Sequence, residues 1–280
     1  MHITIYTIKE YKKQKRKIVA LTAYDYSTAK VLDSAGVDII LVGDSLAQVA
    51  LGYENTLSVN MDEMLHHAKA VVRGVKRSLV VVDLPFLSYQ VSENEAIYNA
   101  GKCLQAGASA VKLEGASEDI LKTIKKMVSI GIPVFGHIGF TPQSVNALGG
   151  NRVQGRTANH AKELLKQAKD LEDAGCFAVV LELVPSETAN LITENLSVPT
   201  IGIGAGLGCD GQILVTDDLL GKYVDFKPSF VRRYAEVGKD SEQALKSFIY
   251  DVQNGKYPGI NESFYMNEQE CEKLILEQQS

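Results

Sequence analysis

Short apolar segments alternate with helical segments along most of this 280-residue chain, and that alternation constrains the fold more than any other feature. Seven segments rich in Val, Ile and Leu have the length of buried strands, and six of them are followed by apolar residues at helical spacing. The seven lie at residues 17–24, 38–42, 79–82, 110–113, 133–138, 177–183 and 199–203, and the best candidate for an eighth lies at 212–216. Consecutive parallel strands in this number favour a closed α/β barrel, the (β/α)8 or TIM barrel, over an open doubly wound sheet.

No change of composition divides the chain into two domains. We therefore predict a single barrel domain over residues 1–280, with an N-terminal capping helix at about 7–16 and a C-terminal helical extension at about 228–280. The end of that extension, residues 267–279, is predicted to form an amphipathic helix that packs either on the barrel or on another subunit.

Charge and cysteine content narrow the class of protein. The net charge of −5 argues against a nucleic-acid partner, and no apolar run reaches the roughly 18 residues that a membrane span needs. The first residues lack the apolar core of a secretory signal, and the four cysteines are scattered without a C-x-x-C pair. These features predict a cytoplasmic protein with reduced thiols and with neither a nucleic acid nor a membrane as its partner.

Four of the predicted strands have an acidic residue at or just after their end: Asp44, Asp83, Glu114 and Glu182. The first three are 39 and 31 residues apart, each about one strand-plus-helix unit, and 68 residues separate the last two. Because the carboxyl ends of barrel strands meet at one mouth, we expect these side chains to lie close together. Carboxylates in this arrangement can bind a hard divalent cation such as Mg²⁺ and place a general base beside it.

Three further polar residues stand at equivalent positions, namely Ser45 after the second strand, Lys112 within the fourth and His137 within the fifth. Taken singly, each has a structural explanation, as a helix cap, an ion-pair partner or a histidine packed in the core. Asp44 and Asp83 have similar explanations as caps of turns. Together, however, these groups put several charges into a dry barrel end, where each unpaired charge costs several kcal/mol. That cost favours a functional site.

An ion held by three acids, with a fourth acid across the mouth, suits the chemistry of a 2-oxo acid. Mg²⁺ can bind the carboxylate and keto oxygens of such a substrate and stabilise negative charge when the carbon beside the carbonyl loses a proton. The fourth carboxylate serves as the base, and the enolate then attacks an electrophilic carbon.

Two segments containing several glycines follow predicted strands. Residues 202–212 contain G-x-G-x-G, but they follow the seventh strand and lack the later acidic residue of a dinucleotide fingerprint, so that interpretation is rejected. An anion site in this loop stays open, because loops after the last strands of barrels often bind phosphate. Residues 137–156 are too long for a plain connection and are predicted to face the substrate.

Eight short strings carry a resemblance to a known family. They are LTAYDY at 21–26, VGDS at 42–45, DLPF at 83–86, VKLEG at 111–115, GHIGFTPQSVN at 136–146, VQGR at 153–156, LELVP at 181–185 and IGIGAG with DGQ within 201–212. In this order they closely resemble ketopantoate hydroxymethyltransferase (3-methyl-2-oxobutanoate hydroxymethyltransferase), from about residue 7 to residue 221. The chain departs from the family pattern mainly after that point, and residues 267–280 extend beyond the expected family core.

The resemblance implies a fold, an assembly and a reaction. The fold is a Mg²⁺-dependent (β/α)8 barrel of the phosphoenolpyruvate mutase/isocitrate lyase type, and the assembly is a homodecamer. The reaction transfers a one-carbon unit from 5,10-methylenetetrahydrofolate to 3-methyl-2-oxobutanoate, which gives 2-dehydropantoate. That reaction is the first step of pantothenate biosynthesis, on the way to coenzyme A.

The resemblance also implies roles for single residues. Asp44 and Asp83 are implied to bind Mg²⁺, Glu114 to complete the metal shell through water, and Glu182 to accept the proton. The residues implied to contact the substrate are Asp44, Ser45, Asp83, Lys112 and His137.

Other functions remain as alternatives. A different Mg²⁺-dependent 2-oxo acid lyase or phosphonomutase on the same barrel would often use a loop cysteine, and Cys209 is the nearest candidate. A second alternative is a Schiff-base aldolase that acts through Lys112, although the surrounding acids favour metal chemistry. A third is a barrel without catalytic activity.

Overall fold

The computed structural model describes residues 2–223 and 227–277. Within them, eight parallel strands pair in chain order and close into a barrel, as predicted. The strands are Ile18–Thr22 (β1), Ile39–Val42 (β2), Leu79–Asp83 (β3), Ala110–Glu114 (β4), Val134–Gly139 (β5), Ala178–Glu182 (β6), Thr200–Ile203 (β7) and Gly211–Leu214 (β8). The ends of the predicted domain, at residues 1 and 280, lie outside the described residues.

Helices follow the strands and form the outer layer. Those of the described chain are Ile5–Lys13 (α1), Tyr26–Ala35 (α2), Leu46–Val49 (α3), Met61–Gly74 (α4), Glu93–Gln105 (α5), Glu118–Ser129 (α6), Val145–Leu148 (α7), Ala158–Asp173 (α8), Ser186–Asn195 (α9), Thr216–Leu219 (α10), Val237–Gln253 (α11) and Glu268–Glu277 (α12). No helix of the described residues combines the length and the apolar character that a membrane crossing needs.

The apolar runs of β2 to β7 are continuous because both faces of these strands are buried. In β2, Ile39 and Leu41 point into the barrel interior, where Phe135 and Phe177 also lie. Their neighbours on the opposite face, such as Ile40, pack instead beneath the helices. Strands of this kind leave no solvent-facing position, so a polar side chain on them must face the mouth or have a partner.

The N-terminal helix closes the opposite end of the barrel from the acids. It runs over Ile5–Lys13, so it starts and ends earlier than the predicted range of 7–16. Thr4 caps it with a side chain that accepts a hydrogen bond from the Thr7 backbone. Ile8 is fully buried and belongs to the interior cluster together with Ile18 at the start of β1. The barrel can therefore open only at its carboxyl end.

The eighth strand is shorter than the predicted range of 212–216, because the chain turns into α10 after Leu214. Thr216 stabilises that turn: its backbone N–H donates to Thr22 Oγ1 at 3.1 Å and its hydroxyl donates to the Thr22 carbonyl at 2.6 Å. Two threonines thus replace strand pairing and direct the following residues over the mouth of the barrel.

The C-terminal extension contains two helices, α11 and α12, and no residue of either is buried. The helix predicted at 267–279 corresponds to α12, and its last predicted residues lie outside the described part. Large apolar side chains along the extension face solvent, among them Phe248, Ile260, Phe264 and Leu276. These side chains do not pack on the barrel of the same chain, which was one of the two predicted packing partners.

Candidate active site

A cavity of about 470 Å³ opens at the carboxyl end of the barrel. The predicted site residues that line it are Asp44, Ser45, Asp83, Lys112, Glu114, His137 and Glu182. The structure therefore brings together all seven side chains that the sequence singled out. Residues of the segment after β5, including Phe140 and Val153, line the same cavity, so this long loop does face the mouth.

Strand register sets the order of the charged groups around the mouth. Asp83 on β3 pairs with Lys112 on β4, and Glu114 on β4 pairs with His137 on β5. Asp44 follows β2 by two residues, and its backbone N–H donates to Asp83 Oδ2 at 3.0 Å. Neighbouring strands thus place Asp83, Lys112 and Glu114 side by side, as the spacing predicts.

Lys112 is the cation in contact with the acids. Its ammonium nitrogen lies 2.6 Å from Asp83 Oδ1 and 3.9 Å from Glu114 Oε1, and all three side chains are buried. Burial alone would lower the pKa of Lys112, but the carboxylates of Asp83, Glu114 and Asp44 outweigh it and raise that pKa. Lys112 therefore carries a proton at neutral pH.

If Asp44, Asp83 and Glu114 were all ionised, they would carry more negative charge than Lys112 offsets. Burial, and then the carboxylates of Asp83 and Glu114, raise the pKa of Asp44 to about 8. Burial also raises the pKa of Asp83 despite its ion pair with Lys112. Glu114 Oε1 is buried without a hydrogen-bond partner among the described residues.

A divalent cation fits this cluster by its charge and by its oxygen donors. Among residues 2–223 and 227–277, however, no three His, Cys, Asp or Glu side chains already stand close enough together to hold a metal.

His137 lies between two carboxylates. Its Nδ1 is 3.4 Å from Glu114 Oε1 and its Nε2 is 3.3 Å from Glu182 Oε2, but neither nitrogen makes a well-aligned hydrogen bond within the described chain. Burial and Lys112 lower the pKa of His137, while Glu114 and Glu182 outweigh them and raise it to about 9. The histidine is therefore a cation at neutral pH rather than a neutral core residue.

The backbone around Glu182 is unusual. Gly139 has a φ of +96°, and a Cβ there would collide with the carbonyl oxygen of Glu182. Leu183, directly after the acid, has a φ of +47°, which is rare for a residue with a side chain. Strained backbone of this kind clusters at functional sites, where it sets the direction of a side chain.

Ser45 stands at the N-cap of α3 but makes no capping hydrogen bond with its side chain. Its Oγ lies 2.8 Å from the phenol oxygen of Tyr24, and Ser45 itself lines the cavity. The alternative explanation of Ser45 as a helix cap is therefore wrong. Its hydroxyl stays available at the edge of the cavity.

Gln143 was not predicted, yet it connects more of the site than any other uncharged residue described. Its side-chain Nε2 donates to Asp44 Oδ2 at 2.9 Å and to the Leu84 carbonyl at 3.0 Å, and its backbone N–H donates to Glu114 Oε2 at 3.0 Å. Its Oε1 accepts from the Tyr89 hydroxyl at 2.8 Å. The sequence signals for it were its place in the long loop after the fifth strand and in the family string at 136–146.

Cys209 does not support the lyase alternative. It is fully buried beneath β7, and burial raises the pKa of its thiol. It is not among the residues that line the cavity. A thiol in this position is neither exposed nor activated as a nucleophile.

Comparison with known proteins identifies the family. A family model described as ketopantoate hydroxymethyltransferase matches residues 2–260. The chain belongs to the ketopantoate hydroxymethyltransferase family. A 3-methyl-2-oxobutanoate hydroxymethyltransferase from Acetivibrio thermocellus is 55% identical over 92% of this chain and 92% of its own length. One from Enterococcus faecalis is 52% identical over 98% of this chain and 100% of its own length.

The second of these alignments reaches into the C-terminal extension, because it covers 98% of the chain. The extension beyond residue 260 is therefore outside the family model but shared with a full-length member of the ketopantoate hydroxymethyltransferase family. The predicted family, and the prediction that the chain is an enzyme of it, are confirmed.

Solved structures confirm the predicted type of barrel. Phosphonopyruvate hydrolase, in a complex with oxalate and Mg²⁺, superposes with a TM-score of 0.60 at 13% identity over 99% of this chain and 97% of its own. 2,3-Dimethylmalate lyase, described as a member of the PEP mutase/isocitrate lyase superfamily, gives 0.59 at 15% identity over 99% and 100%. At this identity the likeness establishes the fold alone.

Proposed function

We propose that this protein transfers a hydroxymethyl group from 5,10-methylenetetrahydrofolate to 3-methyl-2-oxobutanoate, giving 2-dehydropantoate. The names of its relatives support the keto acid acceptor and the transferred group. The folate donor, and the place of the reaction as the first step of pantothenate biosynthesis, rest on the family resemblance. The observation that carries the proposal is the position of Glu182, on the cavity wall and separated from the acid cluster by His137. Four free cysteines in the described chain agree with a cytoplasmic location.

Asp44, Asp83 and Glu114 would hold the Mg²⁺ ion of this proposal. When bound, the ion supplies a Lewis acid that offsets negative charge on the keto oxygen of the substrate. The excess negative charge of the three acids supports this assignment, because Asp44 has a pKa raised to about 8 by burial and by the other two carboxylates.

Lys112 and Ser45 orient the substrate in this proposal. The ammonium of Lys112 is held by Asp83 at 2.6 Å, so its charge has a fixed place in the cavity. The Ser45 hydroxyl is held beside Tyr24 and borders the same space. An anionic keto acid has oxygen acceptors for both groups, and fixed donors reduce the entropy cost of orienting it.

Glu182 is the proposed base that removes the proton from C3 of the keto acid. Its side chain is more accessible than those of the other acids, with 17% exposure against 2% for Glu114. His137, 3.3 Å away, lies beside the Glu182 carboxylate and separates it from Glu114. The enolate formed in this way makes a carbon–carbon bond to the one-carbon unit of the folate. Water supplies the hydroxyl oxygen of the product, and tetrahydrofolate leaves as the C–N bonds to that carbon break.

The test is exchange of the C3 hydrogen of 3-methyl-2-oxobutanoate in D₂O, followed by NMR without the folate. Glu182→Gln should slow the exchange by about 10²- to 10⁴-fold, because a general base typically contributes that much. Binding of the keto acid should change less than about threefold. Glu187→Gln on exposed α9 is the matched control and should exchange at the wild-type rate.

Exchange at the wild-type rate in Glu182→Gln would show that another group is the base. Formation of 2-dehydropantoate by the wild-type protein, with and without EDTA, checks the reaction and its need for a metal separately from the identity of that group.

We further propose that the protein is a homo-oligomer, with the decamer of the family resemblance as its form. The exposed apolar side chains of α11, α12 and the residues between them support this proposal. Ile260, Phe264 and Leu276 are all solvent-facing in the single chain. Exposed apolar area on this scale marks an interaction surface, and a second copy of the chain presents the same complementary surface.

A further inference from the structure

The cavity extends well beyond the acid cluster. Opposite the acids, its wall is formed by the end of β8, by α10 and by the segment around residue 230. Residues lining this part include Leu214, Val215, Phe230 and Val231. A volume of about 470 Å³ falls in the range of about 300–1,000 Å³ that proteins use for drug-sized ligands, so a small keto acid leaves much of it free.

Asp218 faces this free part of the cavity and has no role in the proposed chemistry. It is 7% exposed and belongs to the cavity lining. Within the described residues its carboxylate makes no hydrogen bond and no ion pair within 4.0 Å. Burial, and then Asp217, raise its pKa to about 6, so it is mainly charged at neutral pH. A buried carboxylate without a partner calls for donors from a ligand.

The charged side chains next to Asp218 have other partners. Arg233 is near enough to act on Asp218 electrostatically, but its guanidinium donates to the Tyr223 carbonyl at 3.0 Å and to Glu236 Oε2 at 3.4 Å. Asp217, the adjacent acid, pairs with Lys222 at 3.1 Å and does not line the cavity. Both acids are buried, but Asp217 is paired with Lys222, whereas Asp218 lies in the cavity lining without a partner among the described residues.

The residues around Asp218 indicate the shape of a ligand that would fit there. The apolar side chains of Leu214, Val231 and Phe230 offer a surface for the faces of a flat ring, and the carboxylate offers two acceptors for its edge. Asp218 is also close enough to the Tyr24 phenol to act on it, and that phenol contacts Ser45. One end of a ligand bound at Asp218 therefore lies near the keto acid site.

We propose that Asp218 binds the pterin ring of the folate donor, with its carboxylate accepting hydrogen bonds from the N3–H and 2-amino groups. This inference rests on the proposed function and locates its second substrate. Two adjacent N–H donors match the two oxygens of a carboxylate, as in other bidentate pairs. The apolar wall covers the ring faces, and the one-carbon unit points toward the acid cluster.

Asp218→Asn tests the inference, because the amide keeps the shape of the side chain but replaces one acceptor with a donor. Its KM for 5,10-methylenetetrahydrofolate and its Kd for tetrahydrofolate should rise about 10- to 100-fold, the range for loss of a charge-assisted hydrogen bond. The KM for the keto acid should change less than about twofold. Asp217→Asn is the matched control and should change none of these values more than twofold.

A ligand variant makes the test independent of how the protein variant folds. Wild-type protein should bind 2-desamino-2-methyltetrahydrofolate about 10-fold or more weakly than tetrahydrofolate, and Asp218→Asn should lose most of that discrimination. Equal binding of both compounds to the wild type, or an unchanged folate KM in Asp218→Asn, would overturn the inference. Failure of the wild type to form 2-dehydropantoate would instead overturn the proposed function, and tetrahydrofolate titration would still decide the role of Asp218.

Discussion

Replacement of Gln143 by Leu should weaken both the fold and the proposed metal site. Leucine is similar in size, so the change removes hydrogen bonds without leaving a large cavity. Asp44 Oδ2, the Leu84 carbonyl and the Tyr89 hydroxyl would each lose a bond of 2.8–3.0 Å to the Gln143 side chain. The bond from its backbone N–H to Glu114 would remain.

The magnitude follows from the burial of these groups. A buried polar group left without a partner costs about 1–3 kcal/mol. The Tyr89 hydroxyl keeps its hydrogen bonds with the Glu114 backbone, so the two groups on Asp44 and Leu84 should lower the free energy of unfolding by about 2 kcal/mol or more. For a chain of this size that corresponds to a fall in Tm of about 4–8 °C. Loss of the amide that orients Asp44 should also weaken Mg²⁺ binding by about 10- to 100-fold.

Calorimetry and Mg²⁺ titration of the purified variant measure both effects. Gln90→Leu is the matched control: Gln90 is exposed and donates only one bond, at 3.2 Å, to Gln143. An exposed substitution of this kind should change the free energy of unfolding by less than about 0.5 kcal/mol. If Gln143→Leu melts within about 2 °C of the Gln90→Leu control and binds Mg²⁺ equally well, the reasoning about this residue is refuted.

Two further predictions concern Asp44 and the C-terminal extension. The pKa of Asp44 in the folded protein, about 8, exceeds its ordinary value of 3.8, so its stabilising contribution is complete below pH 3.8 and is lost as the pH rises through 8. In EDTA, the free energy of unfolding measured with urea should fall by up to about 1.4 kcal/mol per pH unit as the pH rises between these values. The Asp44→Asn variant should flatten this slope, and an unchanged slope would contradict the pKa assigned to Asp44. Phe264→Asp should reduce the molar mass found by light scattering, because Phe264 is fully exposed in the single chain. A wild-type protein that is monomeric at micromolar concentration would argue against the oligomer.

Much of the site was predictable because barrel geometry converts spacing along the chain into position around the mouth. Asp83, Lys112 and Glu114 lie at strand ends whose period is visible in the sequence, and the register of β3 and β4 places them side by side. Glu182 follows the same rule two strands further on. Predicting the positions of these residues required no knowledge of side-chain packing.

The loops were less predictable, because their conformation follows no period. Gln143 lies in a turn after β5 whose contacts cross to three other segments. Asp218 lies in a four-residue helix, Thr216–Leu219, whose first residue was predicted as the end of the eighth strand. The unequal environments of Asp217 and Asp218 also have no counterpart in their identical side chains.

The sequence by itself determined the barrel and the ring of acids at its mouth, since alternating buried strands and helices have few other ways to bury both strand faces. Only the tertiary structure decided how those charges are shared. It pairs Lys112 with Asp83, places His137 between Glu114 and Glu182, and gives Asp218, across the cavity, no partner among the described residues. Such pairings depend on distances of a few ångströms between side chains far apart in the chain, and no local pattern of residues encodes them.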